Sequence, residues 1–132
     1  MNPMIKMTLL EKNLIEAILS SKVLNAEAVA DIVGRLVVKE RVFSEDALDS
    51  NKCCGFYLHF ADNDTLSNLD PLPHHLGIQG SHKELSIGAD FILFMKQDGI
   101  DFLEASFYGE ALPTELLLSD QHGFTILEPQ RP

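Results

Sequence analysis

The chain has 132 residues, 45% of them hydrophobic, and its 20 acidic and 10 basic side chains give a formal net charge of −10. This length suits a single domain with one core, and the apolar fraction excludes a disordered chain. The negative charge repels phosphate backbones and anionic lipid, so we expect neither nucleic acid nor a membrane surface as a partner. It favours a basic protein instead.

The cysteines and the apolar runs indicate a cytoplasmic protein. Cys53 and Cys54 are adjacent and cannot form a disulfide framework, which suits a reducing compartment. No run reaches the roughly 18 apolar residues that a membrane span needs. Glu11 and Glu16 interrupt the first apolar stretch, so it is not typical of a signal peptide.

The first 34 residues predict a helical hairpin. Thr8 and Glu11 have the spacing of a capping box, in which each side chain bonds the other residue's backbone amide. The helix then has one apolar stripe at helical spacing, formed by Leu10, Leu14, Ile15 and Ile18. Asn25 is a suitable cap for a second helix, which we expect to end near Gly34.

From residue 36 the pattern becomes that of strands. Segment 36–43 is rich in β-branched residues, and segment 54–61 alternates between large apolar and more polar side chains. We expect a strand hairpin within 88–110, a short strand before it at 82–87 and a last strand at 124–128. Residues 61–80, with two prolines and two glycines, predict a long ordered loop. The whole order predicts one α+β domain, residues 1–132, with the helical hairpin on one face of a mostly antiparallel, meander-like sheet at about 36–128.

The hairpin gives the most specific prediction. Asp98-Gly99 is a preferred pair for a two-residue type I′ turn, and a turn there pairs Leu93 with Glu104. One face of the hairpin then includes Ile92, Phe94, Leu103 and Phe107, and the other includes Phe91, Leu93, Met95, Ile100, Phe102 and Glu104. Two helices can cover only one of these apolar faces, so the long loop, a curled part of the sheet or another chain must cover the second. We predict a partner surface at Ile92, Phe94, Leu103 and Phe107.

Glu104 is predicted to be a buried structural carboxylate, paired or hydrogen-bonded to a neighbouring element. The histidines at 74, 75 and 82 lack metal-site spacing, the aspartates at 62, 64 and 70 lack calcium-loop spacing, and neither cysteine has a defined activating base. We therefore predict no catalytic residue, no metal and no cofactor. A weaker alternative is a small-molecule binder or hydrolase that uses Glu104 with His59 or Tyr57.

Two segments resemble small bacterial α+β proteins of unassigned function. KERVFSEDALDSNKCCGFYLHF resembles a GxGF[YF] segment, although SEDALDSNKCC stands where that motif has T-G-x-G. GADFILFMKQDGIDFLEASFYGEALP resembles a GxDFILFxxDGxxxxLExxxYGExxP hairpin motif, and the resemblance spans roughly residues 36–113. It implies no catalytic residue, and it implies an immunity or accessory role. Together with the charge, it predicts a non-enzymatic domain that neutralises a basic effector, with a homodimer of structural or housekeeping role as the alternative.

Overall fold

Residues 5–21 and 25–127, which the computed structural model describes, form three helices and one seven-stranded antiparallel sheet. The helices are α1 (Leu9–Ser20), α2 (Ala26–Arg35) and α3 (Thr114–Leu118). The strands are β1 (Val38–Glu45), β2 (Lys52–Phe60), β3 (His75–His82), β4 (Leu85–Lys96), β5 (Gly99–Ser106), β6 (Leu112–Pro113) and β7 (Thr125–Leu127). Their order is β1-β2-β5-β4-β3-β7, and β6 pairs with β2. The predicted α+β fold, with α1 and α2 packed on the sheet, is confirmed.

Both N-terminal helices begin at the predicted caps. The Glu11 amide donates to Thr8 Oγ1 at 3.1 Å, and the Thr8 amide donates to Glu11 Oε1 at 2.8 Å. The same carboxylate, only 2% exposed, accepts two hydrogen bonds of 2.7 Å from Arg41 of β1. Asn25 Oδ1 accepts the Ala28 amide at 2.8 Å and starts α2. Glu11 therefore both caps α1 and joins that helix to the first strand.

The core lies between the helices and one face of the sheet. Helix α1 supplies Leu10, Leu14, Ile15 and Ile18. The sheet supplies Phe56, Leu58, Phe91, Leu93 and Leu103, and Phe107 follows directly after β5; all of these residues are at most 1% exposed. The loop at 61–74 packs on this same core through Leu66, Leu69 and Leu72. Helix α3 contacts α1 and buries Leu117. All of these elements thus lie on one side of the sheet.

The register of the β4–β5 hairpin differs from the prediction. Lys96 pairs with Gly99, so the turn is Gln97-Asp98 rather than Asp98-Gly99, and Gln97 has a φ of 53°. Asp101 then lies in a bulge between the pairs Met95–Ile100 and Phe94–Phe102. Leu93 consequently faces Leu103 instead of Glu104. This net slip of one residue turns β5 over relative to the predicted faces.

Gly99 explains the position of the turn. A Cβ at Gly99 would lie 2.1 Å from the backbone oxygen of Asn63, so this residue must be a glycine at a close approach of the loop. Asn63 Oδ1 accepts the Ile100 amide at 3.0 Å, and its Nδ2 donates to the Ile100 oxygen at 2.9 Å. The loop therefore fixes the first two residues of β5 and places the turn before them.

Two other local predictions are wrong. Residues 75–80 of the predicted loop belong to β3, and residues 82–87 contain the end of β3, a turn and the start of β4 rather than a separate strand. In β3 the buried, core-facing positions include Gly80, where a Cβ would lie 2.7 Å from the Phe91 ring. A glycine and a histidine at inward positions hide the apolar alternation by which a strand is recognised.

Candidate interaction surface

The face of the sheet opposite the helices consists of three cross-strand rows, which we term the open face. The first row runs from β1 to β3 through Glu40, His59, Phe102, Phe94 and His75. The second row follows the same strands through Val42, Tyr57, Glu104, Ile92 and Gly77. A shorter third row contains Ser106, Asp90 and Gln79. Directly paired residues point to the same side of a sheet, so these rows form one continuous surface.

The first row is an aromatic stripe. Phe94 and Phe102 stack across β4 and β5 with ring centroids 4.4 Å apart and planes at 16°. His59 lies 5.5 Å from Phe102, and His75 lies 5.9 Å from Phe94, measured between centroids. These spacings lie within the range of attractive aromatic pairs. The stacking turns the faces of Phe94 and Phe102 towards each other and their edges towards solvent, and both side chains are only half-buried.

Glu104 lies in the middle of the open face. It pairs with Tyr57 on β2 and with Ile92 on β4, and Phe102 is the neighbouring residue on the same side of β5. The carboxylate is half-buried, so the prediction of a buried structural group opposite Leu93 is wrong. Within residues 5–21 and 25–127 the ion pairs are Arg35–Asp31, Arg35–Asp64 and Arg41–Glu11. Glu104 therefore lies beside Tyr57, Ile92 and Phe102 without an ion pair in the described chain.

The charge of the open face is negative. Its rows contain Glu40, Asp90 and Glu104, against Lys96, which follows Phe94 on the same side of β4 at the turn. Asp90 accepts a hydrogen bond from the Tyr108 hydroxyl, and this bond raises the pKa of Tyr108. The two remaining carboxylates flank the aromatic band. The surface thus combines a row of aromatic side chains with negative charge.

The predicted partner surface is divided between the two sides of the sheet. Ile92 and Phe94 lie on the open face, as half-buried side chains of β4. Leu103 and Phe107 are both 0% exposed and belong to the helix-covered core, so their assignment to the same surface is wrong. The true neighbours of Phe94 are Phe102 and His75. The alternation of Tyr57 and His59 against Phe56, Leu58 and Phe60 does predict which face of β2 points away from the core.

The residues of the hydrolase alternative, Glu104, Tyr57 and His59, are neighbours on the open face, and the cysteines and the main groove among the described residues lie elsewhere. A groove of about 610 Å³ is lined by residues around Phe43, Asn51 and Thr114, away from Glu104 and His59. Burial raises the pKa of Cys53, and burial together with the charge of Asp46 raises that of Cys54, so neither thiol is activated as a nucleophile. Among residues 5–21 and 25–127 there is no group of three or more potential metal ligands.

Comparisons with known proteins leave the surface itself as the basis for a functional interpretation. No protein-family model, curated protein or solved structure matches the chain. None of the helices in the described ranges has the length and apolar character needed to cross a membrane. The open face is the candidate functional site, because exposed apolar patches bordered by polar groups mark interaction sites.

Proposed function

We propose that this chain is a non-enzymatic domain that binds a basic protein through the open face of its sheet. The observation that supports this function most directly is the pairing of an aromatic band with carboxylates, which outnumber the basic residues on this surface. Aromatic residues are enriched at the cores of protein interfaces, and complementary charge supplies orientation and association rate. A partner with apolar and cationic side chains satisfies both parts of this surface.

The overall charge favours a basic partner over a second copy. Two copies would each bring a formal charge of −10, and stacking their open faces would place Glu40 and Glu104 of both copies in one desolvated interface. A homodimer through the open face is therefore the less favoured alternative. A basic protein is drawn to the same surface by long-range attraction.

Neutralisation of an effector is the role that we assign to this binding. The hairpin segment resembles that of small bacterial proteins for which an immunity or accessory role is implied. An immunity protein needs a tight complementary surface and no reaction of its own. Cys53 and Cys54 are both free thiols, which suits a cytoplasmic location for such a complex.

Co-expression with the product of the adjacent gene tests this function. We expect the product to be basic, to co-purify with the chain and to be released as salt rises from about 50 to about 300 mM, because screening weakens steering and rim ion pairs. Light scattering on the chain alone should show a monomer. A stable dimer that disappears on Phe94→Ser substitution would support the homodimer instead, and absence of any complex at low salt would contradict the proposed function.

A further inference from the structure

We propose that the open face is a receptor for an arginine side chain of the basic partner, with Glu104 as the counter-ion and the rings of Tyr57 and Phe102 as the stacking surface. This inference rests on the proposed function and goes further by naming the recognised group and the residues that recognise it. A guanidinium is planar, carries several N–H donors in one plane and stacks on aromatic rings. The surroundings of Glu104 offer a partner for each of these properties.

The geometry around Glu104 fits a flat cation. Tyr57 is directly across from Glu104 on β2 and remains 36% exposed, while Phe102 precedes it on the same side of β5. The centroids of these two rings are 6.3 Å apart with planes inclined at 50°. Residues two apart on a strand are separated by roughly 6.6 Å, so a cation that bonds Glu104 can also lie over either ring within the roughly 6 Å of a cation–π contact.

The electrostatics of the site also favour a cation. Ile92 on β4 and Tyr57 on β2 flank the half-buried Glu104. A charge-assisted, bidentate hydrogen bond is stronger in such surroundings than on an open surface, because the local dielectric is lower. Lys96 lies at the turn end of β4, beyond Phe94, and none of the ion pairs among the described residues involves Glu104. The carboxylate is therefore open to a cation of another molecule.

Other occupants match the site less well. Single-stranded nucleic acid can stack its bases on sheet aromatics, yet Glu40 and Glu104 repel its phosphates. A second copy brings the same carboxylates to the same place. A lysine supplies the charge but not the plane, because its ammonium is a compact, strongly hydrated point charge. Arginine adds a bidentate hydrogen bond to the carboxylate and planar stacking on the rings.

Fluorescence anisotropy with two labelled peptides tests the inference. Both peptides have a glycine-serine background, and one carries four arginines where the other carries four lysines. We expect the arginine peptide to bind about tenfold more tightly to the wild-type chain. Glu104→Gln should weaken its binding about tenfold, and Phe102→Leu should bring the two peptides close to equal affinity. Glu16→Gln removes the same charge from the exposed side of α1 and should affect both peptides slightly and equally.

The outcomes separate this inference from the proposed function. Equal binding of both peptides, with Glu104→Gln no weaker than Glu16→Gln, would overturn the arginine site and leave the charge-driven binding of a basic partner intact. Binding of a single-stranded RNA oligomer in preference to either peptide would overturn both proposals. Absence of binding to either peptide would overturn the arginine site, while the adjacent-gene product decides the proposed function separately. Thermal unfolding within a few degrees of wild type confirms that each variant is folded.

Discussion

At the scale of single residues, Glu11 and Arg41 join the first helix to the first strand. The two side chains are 3% and 14% exposed and their closest atoms are 2.7 Å apart. We expect Arg41→Met to lower the free energy of unfolding by about 3 kcal/mol, because it leaves a buried carboxylate without its partner. Denaturant unfolding measures this change. Arg35→Met breaks an exposed pair with Asp31 and should cost less than about 1 kcal/mol.

A double substitution separates the pair from the burial of its charge. Glu11→Gln in the Arg41→Met background replaces the unpaired carboxylate by a neutral amide that can still accept the Thr8 amide. We therefore expect the double variant to be more stable than Arg41→Met alone. Equal or lower stability of the double variant would show that the carboxylate stabilises the protein through its cap rather than through Arg41.

A buried histidine makes stability depend on pH. The ring of His122 is 8% exposed, and its Nδ1 accepts the Phe124 amide at 3.0 Å. His82 donates from Nε2 to the His122 carbonyl at 3.0 Å, since its Nδ1 accepts the Glu84 amide. Burial lowers the pKa of His122, the neighbouring His82 lowers it further, and Asp120 acts in the opposite direction.

The sign of the effect follows from this lowered pKa. The unfolded chain takes up a proton near pH 6.5, the ordinary value for histidine, before the folded protein does. The stabilising contribution is therefore complete above about pH 6.5 and is lost as pH falls towards the lowered folded value. Urea unfolding between about pH 7 and about pH 5 should show a smaller loss in His122→Asn, whose side-chain oxygen can accept the Phe124 amide. An identical loss in wild type and variant would show that other groups control this range.

At the scale of elements, alanine substitutions at two glycines should change the free energy of unfolding in opposite directions. Gly99→Ala should lower the free energy of unfolding by about 2 kcal/mol, since the added Cβ meets the Asn63 backbone oxygen at 2.1 Å and the contact must be relieved by moving a strand or a loop. Gly34 lies in α2 with nothing within 4 Å of an added Cβ, so Gly34→Ala should raise the free energy of unfolding by about 0.5 to 1 kcal/mol. Chemical denaturation of the two variants measures both changes in the free energy of unfolding. An unchanged free energy of unfolding in Gly99→Ala would mean that the loop does not fix the turn.

Local signals predicted those elements whose causes are local. The Thr8–Glu11 box, the Asn25 cap and the alternation in β2 each depend on residues within a few positions, and the structure contains all three. The hairpin register depends on Asn63, which bonds Ile100 from 37 positions away. A turn pair such as Asp98-Gly99 indicates a hairpin but does not reveal that a distant loop occupies the space beside its glycine. The composition of the open face could not be predicted without that contact and the bulge at Asp101.

At the scale of the whole molecule, one side of the sheet stabilises the fold and the other is available for binding. Helices α1 and α2 and the loop at 61–74 pack on one side, while Phe94, Phe102 and their neighbours lie on the other. The sequence predicted a hairpin with two apolar faces and a helical layer that covers only one of them. An uncovered apolar face in turn indicates a binding partner. It misplaced Leu103 and Phe107 because a slip of one residue exchanges the faces of β5.

The central claim is that the open face binds the partner, and paired serine substitutions test it most directly. Ile92→Ser with Phe94→Ser removes apolar surface from the open face, whereas Leu48→Ser with Ile87→Ser removes exposed apolar surface elsewhere, where these residues are 95% and 68% exposed. Affinity for the basic adjacent-gene product is measured by calorimetry on both variants. We predict a loss of about tenfold or more for the first variant and little change for the second. Equal affinity of the first variant and the wild-type chain would contradict the account.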